Sequence, residues 1–163
     1  MHDPARRPAT LMLPPLPYAA ALYAGWRLEQ DWLAAPLDLG RANPLLGWPL
    51  VTLGLALFAW TLLTFRRHRT TVNPYQAASH LCIDGPFQYT RNPIYLGDWL
   101  IFLGVTLLLH TAWPLAFAPL IWLLLRYGVI RHEEAHLEAR FGDAYRRYRQ
   151  RVGRWLGHSR TPG

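Results

Sequence analysis

Residues 45–65, LLGWPLVTLGLALFAWTLLTF, carry no charged side chain and then stop abruptly at Arg66, Arg67, His68 and Arg69. A helix needs about 20 mostly apolar residues to cross a bilayer, and inside lipid a backbone must satisfy its own hydrogen bonds. Three further stretches qualify or come near, each with some charge: Arg27, Glu29 and Asp31 at the far end of the first, Asp98 in the second and Arg126 in the third. They lie at about 14–33 (PPLPYAAALYAGWRLEQDWL), 94–111 (IYLGDWLIFLGVTLLLHT) and 114–130 (PLAFAPLIWLLLRYGVI). Prolines crowd the front of the first, where a helix start tolerates them. The short HTAWP between the last two leaves room only for a tight reversal. The pattern predicts an all-α, polytopic membrane protein with about four transmembrane helices, the last two forming a C-terminal helical hairpin.

Composition agrees with such segregation. The chain is 52% apolar, yet its mean hydropathy is only +0.02. All 17 basic residues are arginine, and the formal charge is +7. A charge of this kind has two usual readings, nucleic acid or an anionic lipid face. The positions of the arginines decide between them. If four helices start inside, residues 1–13, 66–93 and 131–163 share one side and hold fourteen arginines, against two (Arg27 and Arg41) on the other. That is a strong positive-inside bias. Both termini should then face the cytoplasm, and because topology already accounts for the basic excess, the nucleic-acid reading is weakened. Cys82 is the only cysteine, so no intrachain disulfide can form, and it reads as a small hydrophobe beside a turn. The N-terminal MHDPARRPAT lacks the layout of a cleaved signal peptide.

Beyond residue 131 the chain turns polar. Leu137, Phe141, Tyr145, Tyr148, Val152 and Trp155 recur at helical spacing, and Gly142 followed by Asp143 reads as a break and a new N-cap. Two short amphipathic cytoplasmic helices are expected to lie against the membrane face, with arginines outward.

The hairpin has a consequence for two distant polar clusters. About 35 residues separate Gly97 from Glu133, enough for one crossing and its return. The turn should therefore bring His132-Glu133-Glu134 back to the membrane face occupied by Tyr89-Thr90-Arg91-Asn92-Pro93-Ile94-Tyr95. One carboxylate at least borders the apolar stripe of that helix, and ionisable groups near membrane depth are functional candidates. Asp98 and Arg126 each lie 14 residues from Ala112, so a direct or water-mediated contact between them is also predicted.

These residues carry a resemblance. RNPIYLG, then EE about 35 residues later, then LEARFGDAYRRYRQRV resemble the isoprenylcysteine carboxyl methyltransferase family, bacterial branch, with its relatives the phospholipid methyltransferases and membrane sterol reductases. It covers roughly residues 66–156. The resemblance implies one integral-membrane domain over 1–163: N-terminal helices to 65, a cofactor-binding catalytic core over 66–156, and a tail from 157. It implies S-adenosylmethionine (SAM) bound at the cytoplasmic face and a lipophilic acceptor arriving from the membrane lipid. Carried over by position, the catalytic candidates are Arg91, Asn92, Glu133 and Glu134. The cofactor-binding candidates are His80, Gly85, Pro86, Tyr89, Arg91, Asn92, Pro93, Tyr95, Glu133 and Glu134, with no metal. Asn92 stands where many eukaryotic members have histidine, and it cannot serve as a base near neutral pH.

SAM presents a sulfonium, an ammonium and a carboxylate. Glu133 or Glu134 can meet the ammonium or the ribose, and Arg91 or backbone N–H groups freed around Pro86 and Pro93 can meet the carboxylate. Tyr89 and Tyr95 can stack on the adenine or face the sulfonium, or else belong to an interfacial aromatic belt. The expected activity is SAM-dependent methylation of an isoprenoid carboxylate, a thiol or a phospholipid amine in a bacterial inner membrane. The alternatives are an NADPH-dependent reductase of a membrane isoprenoid or sterol, and a non-catalytic membrane subunit of the same fold.

Overall fold

A computed structural model describes residues 15–68 and 81–157, and every described regular element is helical. The elements are α1 (Pro15–Asp31), α2 (Ala42–Arg67), a 3-10 turn (Gly85–Gln88), α3 (Pro93–Leu108), α4 (Trp113–Ala116), α5 (Ala118–Leu125), a π-helical turn (Arg126–Ile130), α6 (Arg131–Phe141) and α7 (Asp143–Arg151). Proline punctuates the starts. Pro15, Pro93, Pro114 and Pro119 each fall at or next to a first helical residue, where the missing N–H costs nothing.

Among the described residues, one helix is long and apolar enough to cross a membrane: α2, with 26 residues. Only 17% of its most apolar window is buried, whereas the core helix of a water-soluble protein would be mostly covered. Leu45, Trp48, Leu53, Leu55, Trp60 and Leu63 all stand exposed along it. The other expected spans are shorter. α1 has 17 residues and α3 has 16, because Pro15 and Pro93 start them late and the Leu33–Gly40 and His110 turns end them early. The expected fourth helix is not one element but α4, α5 and the π turn, interrupted at Phe117. Its prolines are the cause, since each removes a donor and clashes with the preceding turn.

Successive apolar segments alternate in direction. α2 and α3 pack antiparallel along a seam of glycines seven residues apart. A Cβ on Gly54 would lie 2.7 Å from the Gly97 carbonyl oxygen, and one on Gly104 would lie 2.7 Å from that of Gly47. The two backbones therefore touch, as small residues allow in membrane bundles. α1 runs alongside α3: Tyr18 meets Trp99 and Phe102 edge-on or tilted at 5.2 and 5.8 Å, and Gly25 lies against Pro114. The return pass buries Ile121, Leu125, Val129 and Ile130 against the same core as Tyr18, Tyr95 and Phe102.

Each end is tied by a different device. At the end away from the twin acids, the fully buried Asn43 donates to the carbonyls of Leu37 and Leu107, both at 2.7 Å. Glu29 accepts from the Ala35 N–H and the Thr111 hydroxyl. His110, a non-glycine residue at φ 56°, makes the reversal. At the other end, the aromatic stripe of α7 lies on protein: Tyr145, Tyr148 and Val152 pack with Cys82 and Phe87. Gly142 (φ 50°) breaks the chain between α6 and α7 as expected, but it occupies the N-cap position itself. Asp143 is the first helical residue and pairs with Arg146 instead.

Candidate functional site

The 3-10 turn places the first half of the site. Gly85, at φ 57°, enters it, and a Cβ there would press on the Thr64 hydroxyl of α2 at 2.6 Å. The turn carries the chain through Thr90, Arg91 and Asn92 to Pro93, which opens α3. The second half arrives on α6 directly after the π turn. Such turns hold one surplus residue inside a helix and recur at functional sites.

The two halves meet. Arg91 Nη1 lies 2.8 Å from a Glu134 oxygen, with the two side chains only 9% and 14% exposed. It also donates to the Tyr145 hydroxyl at 3.3 Å. The Tyr95 hydroxyl donates to Glu133 at 2.8 Å. A third element joins them that the sequence reading did not single out. Arg154 grips Glu134 with two donors, Nε at 3.0 Å and Nη2 at 2.6 Å. Its own carbonyl is held by the Thr90 hydroxyl and Asn92 Nδ2. The neighbouring Gly153 carbonyl accepts from the Arg91 N–H at 3.1 Å. The segment after α7 is therefore a wall of the site. A cue existed in RVGRWLG, where Gly153 and Gly157 close a tight loop.

This geometry separates the twin acids. Glu134 sits between two guanidiniums, and its hydrogen bonds hold Arg154 above its ordinary pKa. Glu133 faces Tyr95 away from the arginines. Burial pushes its pKa up from 4.5 to about 7, the Tyr95 hydrogen bond opposes this, and the charge of Glu134 adds to it. Tyr145 is raised to about 12, mainly by burial and then by Glu134, against the pull of Arg91.

Several expectations meet a different outcome. Asn92 is buried, and its Nδ2 donates to the Arg154 carbonyl, so it holds that wall in place. Several backbone N–H groups near Pro86 and Pro93 are already engaged: Phe87 donates to Asp84, Tyr89 and Thr90 to Pro86, Arg91 to Gly153 and Asn92 to the Thr90 hydroxyl. Gly85 and Pro86 shape the turn beneath the site. Tyr89 is not brought to the cluster; it is 60% exposed beside Trp60, the position of an interfacial aromatic. His80 lies outside the described residues. No direct Asp98–Arg126 contact forms. Arg126 lies over the rings of Trp122 and Tyr127 at 5.1 and 5.7 Å, and Asp98 Oδ2 is buried with no hydrogen-bond partner.

His132 and His136 flank the acids at the spacing of a helical zinc pair. Among the described residues, however, no three His, Cys, Asp or Glu side chains converge to hold a metal. Both intervening carboxylates are engaged by Tyr95 and the two arginines.

Residues 42–144 match the phospholipid methyltransferase family. The chain belongs to that family. Similarity to individual proteins is more local. An uncharacterized protein of Haemophilus influenzae is 41% identical over 63 residues, which is 39% of this chain and all of that protein. The protein-S-isoprenylcysteine O-methyltransferase of Schizosaccharomyces pombe is 36% identical over 75 residues, covering 45% of this chain and 31% of the yeast enzyme. No solved structure matches. The expected kinship with isoprenylcysteine and phospholipid methyltransferases therefore holds, and the matched region includes the Asn92–Pro93 corner and both acids.

Proposed function

We propose that this protein is a SAM-dependent methyltransferase of the bacterial inner membrane, acting on a lipophilic acceptor that enters from the bilayer. The observation that carries the reading is the convergence of Arg91, Tyr95, Glu133 and Glu134 around the starts of α3 and α6. Under this reading the chain is one domain of four alternating passes, with both termini cytoplasmic. Short α1 and α3 cross with the help of their flanking turns.

The residues present fit the cofactor. Arg91 Nε is buried with no hydrogen-bond partner, an unspent cationic donor suited to a carboxylate. Glu133 offers an acceptor for an ammonium or a ribose hydroxyl. When bound, SAM supplies a methyl group on a positively charged sulfur, which a nucleophile displaces in line. Arg91 holds the anionic end, Glu134 and Arg154 fix Arg91 in place, and Tyr95 orients Glu133. Apolar residues around the site exclude water and concentrate these charges. Positioning and desolvation carry most of the rate, since a transfer of this kind requires no catalytic triad.

Thermal unfolding of the purified protein in detergent tests the reading. SAM or its demethylated product should stabilise it, and NADPH should not. Stabilisation by NADPH alone would favour the reductase alternative. Stabilisation by neither would favour a non-catalytic membrane subunit.

A further inference from the structure

Thr90 is buried, and its hydroxyl is used in both directions. It accepts from the Asn92 N–H at 3.1 Å and donates to the Arg154 carbonyl at 3.1 Å. A β-branched side chain is stiff at its first torsion, which suits a fixed reach. The next two residues bond to the same segment. The Arg91 N–H donates to the Gly153 carbonyl at 3.1 Å, and Asn92 Nδ2 donates to the Arg154 carbonyl at 2.9 Å. Three consecutive residues thus hold two consecutive carbonyls. The side chains of Arg91 and Arg154 leave this backbone knot and meet again on Glu134, Arg91 Nη1 at 2.8 Å and Arg154 Nε and Nη2 at 3.0 and 2.6 Å. Two guanidiniums repel each other, and each long side chain loses freedom when it is fixed. Holding their backbones together lowers both costs of sharing one carboxylate.

We propose that Thr90 is a positioning residue: its hydroxyl ties the segment after α7 to the Thr90–Asn92 corner, and so sets both guanidiniums around Glu134 and the direction in which Arg91 Nε faces an anionic ligand. Thr90 acts through Arg91 and Arg154. That the anion is the carboxylate of SAM rests on the methyltransferase reading; the knot stands on its own hydrogen bonds. Without the hydroxyl, the buried Asn92 N–H loses its acceptor and the Arg154 carbonyl loses one of its two donors, a loss that buried polar groups do not bear quietly. The segment then shifts, and Arg91 and Arg154 no longer meet Glu134 in a single geometry. A charged site that binds a carboxylate depends on such supporting bonds to hold its donors in place. Serine keeps the hydroxyl and should keep the knot; valine keeps the shape and should not.

Thr90→Val and Thr90→Ser test this on the full chain in detergent, with Thr61→Val as the matched control. Thr61 is also fully buried, but its hydroxyl bonds within its own helix, to the Leu57 carbonyl at 2.8 Å. Two quantities are measured: hydrogen exchange of the Arg91 and Asn92 amides without ligand, and SAM affinity by thermal shift across a titration. Thr90→Val should exchange these amides at least tenfold faster and bind SAM at least tenfold more weakly. Thr90→Ser should stay within threefold of wild type in both, and Thr61→Val within twofold, whatever it costs in melting temperature. Unchanged exchange of the α3 amides shows that each variant is folded; if Thr90→Val is not, Thr90→Ala takes its place with the same expectations. Exchange or SAM affinity within twofold of wild type in Thr90→Val overturns the proposal. So does a loss that serine fails to restore, or an equal loss in Thr61→Val, which would mark general loosening. If SAM stabilises none of the proteins, the methyltransferase reading falls, and the exchange of the Arg91 and Asn92 amides alone decides whether Thr90 holds the knot.

Discussion

Glu133 offers the sharpest energetic test. Its carboxyl lies on α6, outside the apolar passes, with its pKa raised from 4.5 to about 7 by burial. The folded protein therefore holds this proton more tightly than the unfolded chain does. Stability from this group is fully present below about pH 4.5 and is lost as the pH rises through about 7, because there the folded state must bury a charge. At about 1.36 kcal/mol per pH unit, the loss is roughly 3 kcal/mol. Glu133→Gln keeps an oxygen to accept the Tyr95 hydroxyl and never ionises. Wild type and variant should then unfold at similar temperatures at pH 5, and by pH 8 the variant should be the more stable by several degrees, about 2–4 °C per kcal/mol for a chain of this size. Thermal melts in one detergent across pH 5–8 read this directly. A variant that is less stable than wild type at pH 8 would refute the assignment of a buried, proton-retaining carboxyl. The same substitution should weaken SAM binding if Glu133 holds the ammonium.

Removing Glu134 leaves Arg91 and Arg154 facing each other without their shared anion, and losing one partner of a buried ion pair costs about 3–5 kcal/mol. Glu134→Ala, Arg91→Ala and Arg154→Ala should each abolish SAM stabilisation, measured by thermal shift, while the protein still inserts into membranes. Wild-type SAM response in Arg154→Ala would show that the segment after α7 is no part of the site. Gly97→Leu should separate α3 from α2, where even a Cβ would lie 3.0 Å from the Gly54 carbonyl oxygen. The expected loss is several kcal/mol, read as a lowered melting temperature together with loss of the SAM response, whereas Gly128→Ala, where a Cβ meets nothing within 4 Å, should change melting little.

The sequence made one part of the site legible for a physical reason. A reversal near Ala112 fixes depth, so the Asn92–Pro93 corner and the twin acids had to share a face, and Tyr95–Glu133 and Arg91–Glu134 do meet. Equal sequence distance from a turn does not fix azimuth, which is why the same reasoning gave no direct Asp98–Arg126 contact: Arg126 lies over Trp122 and Tyr127 instead. Arg154 escaped notice because its contact with Glu134 is made by a loop, which has no periodicity to read. Of the amides around Pro86 and Pro93, the compact 3-10 turn, the Thr90 hydroxyl and the Gly153 carbonyl use those of Phe87, Tyr89, Thr90, Arg91 and Asn92, which the spacing of the prolines does not reveal. Helix lengths were overread for a related reason. Hydropathy continues smoothly through Pro114 and Pro119, while the backbone cannot. The glycine seam of α2 and α3 was open to view at a spacing of seven, yet spacing alone does not say which helix is the partner.

The shortness of α3 has a bearing on the choice of membrane. Sixteen residues rise only about 24 Å, several ångströms less than the roughly 30 Å hydrocarbon layer. Where α3 crosses and the bilayer thins to meet it, the carboxylate-lined end is drawn down to the level of the upper acyl carbons. A substrate with a small head and a long tail then meets the site without being lifted into water, and a thin, fluid bilayer serves this protein better than a thick, ordered one.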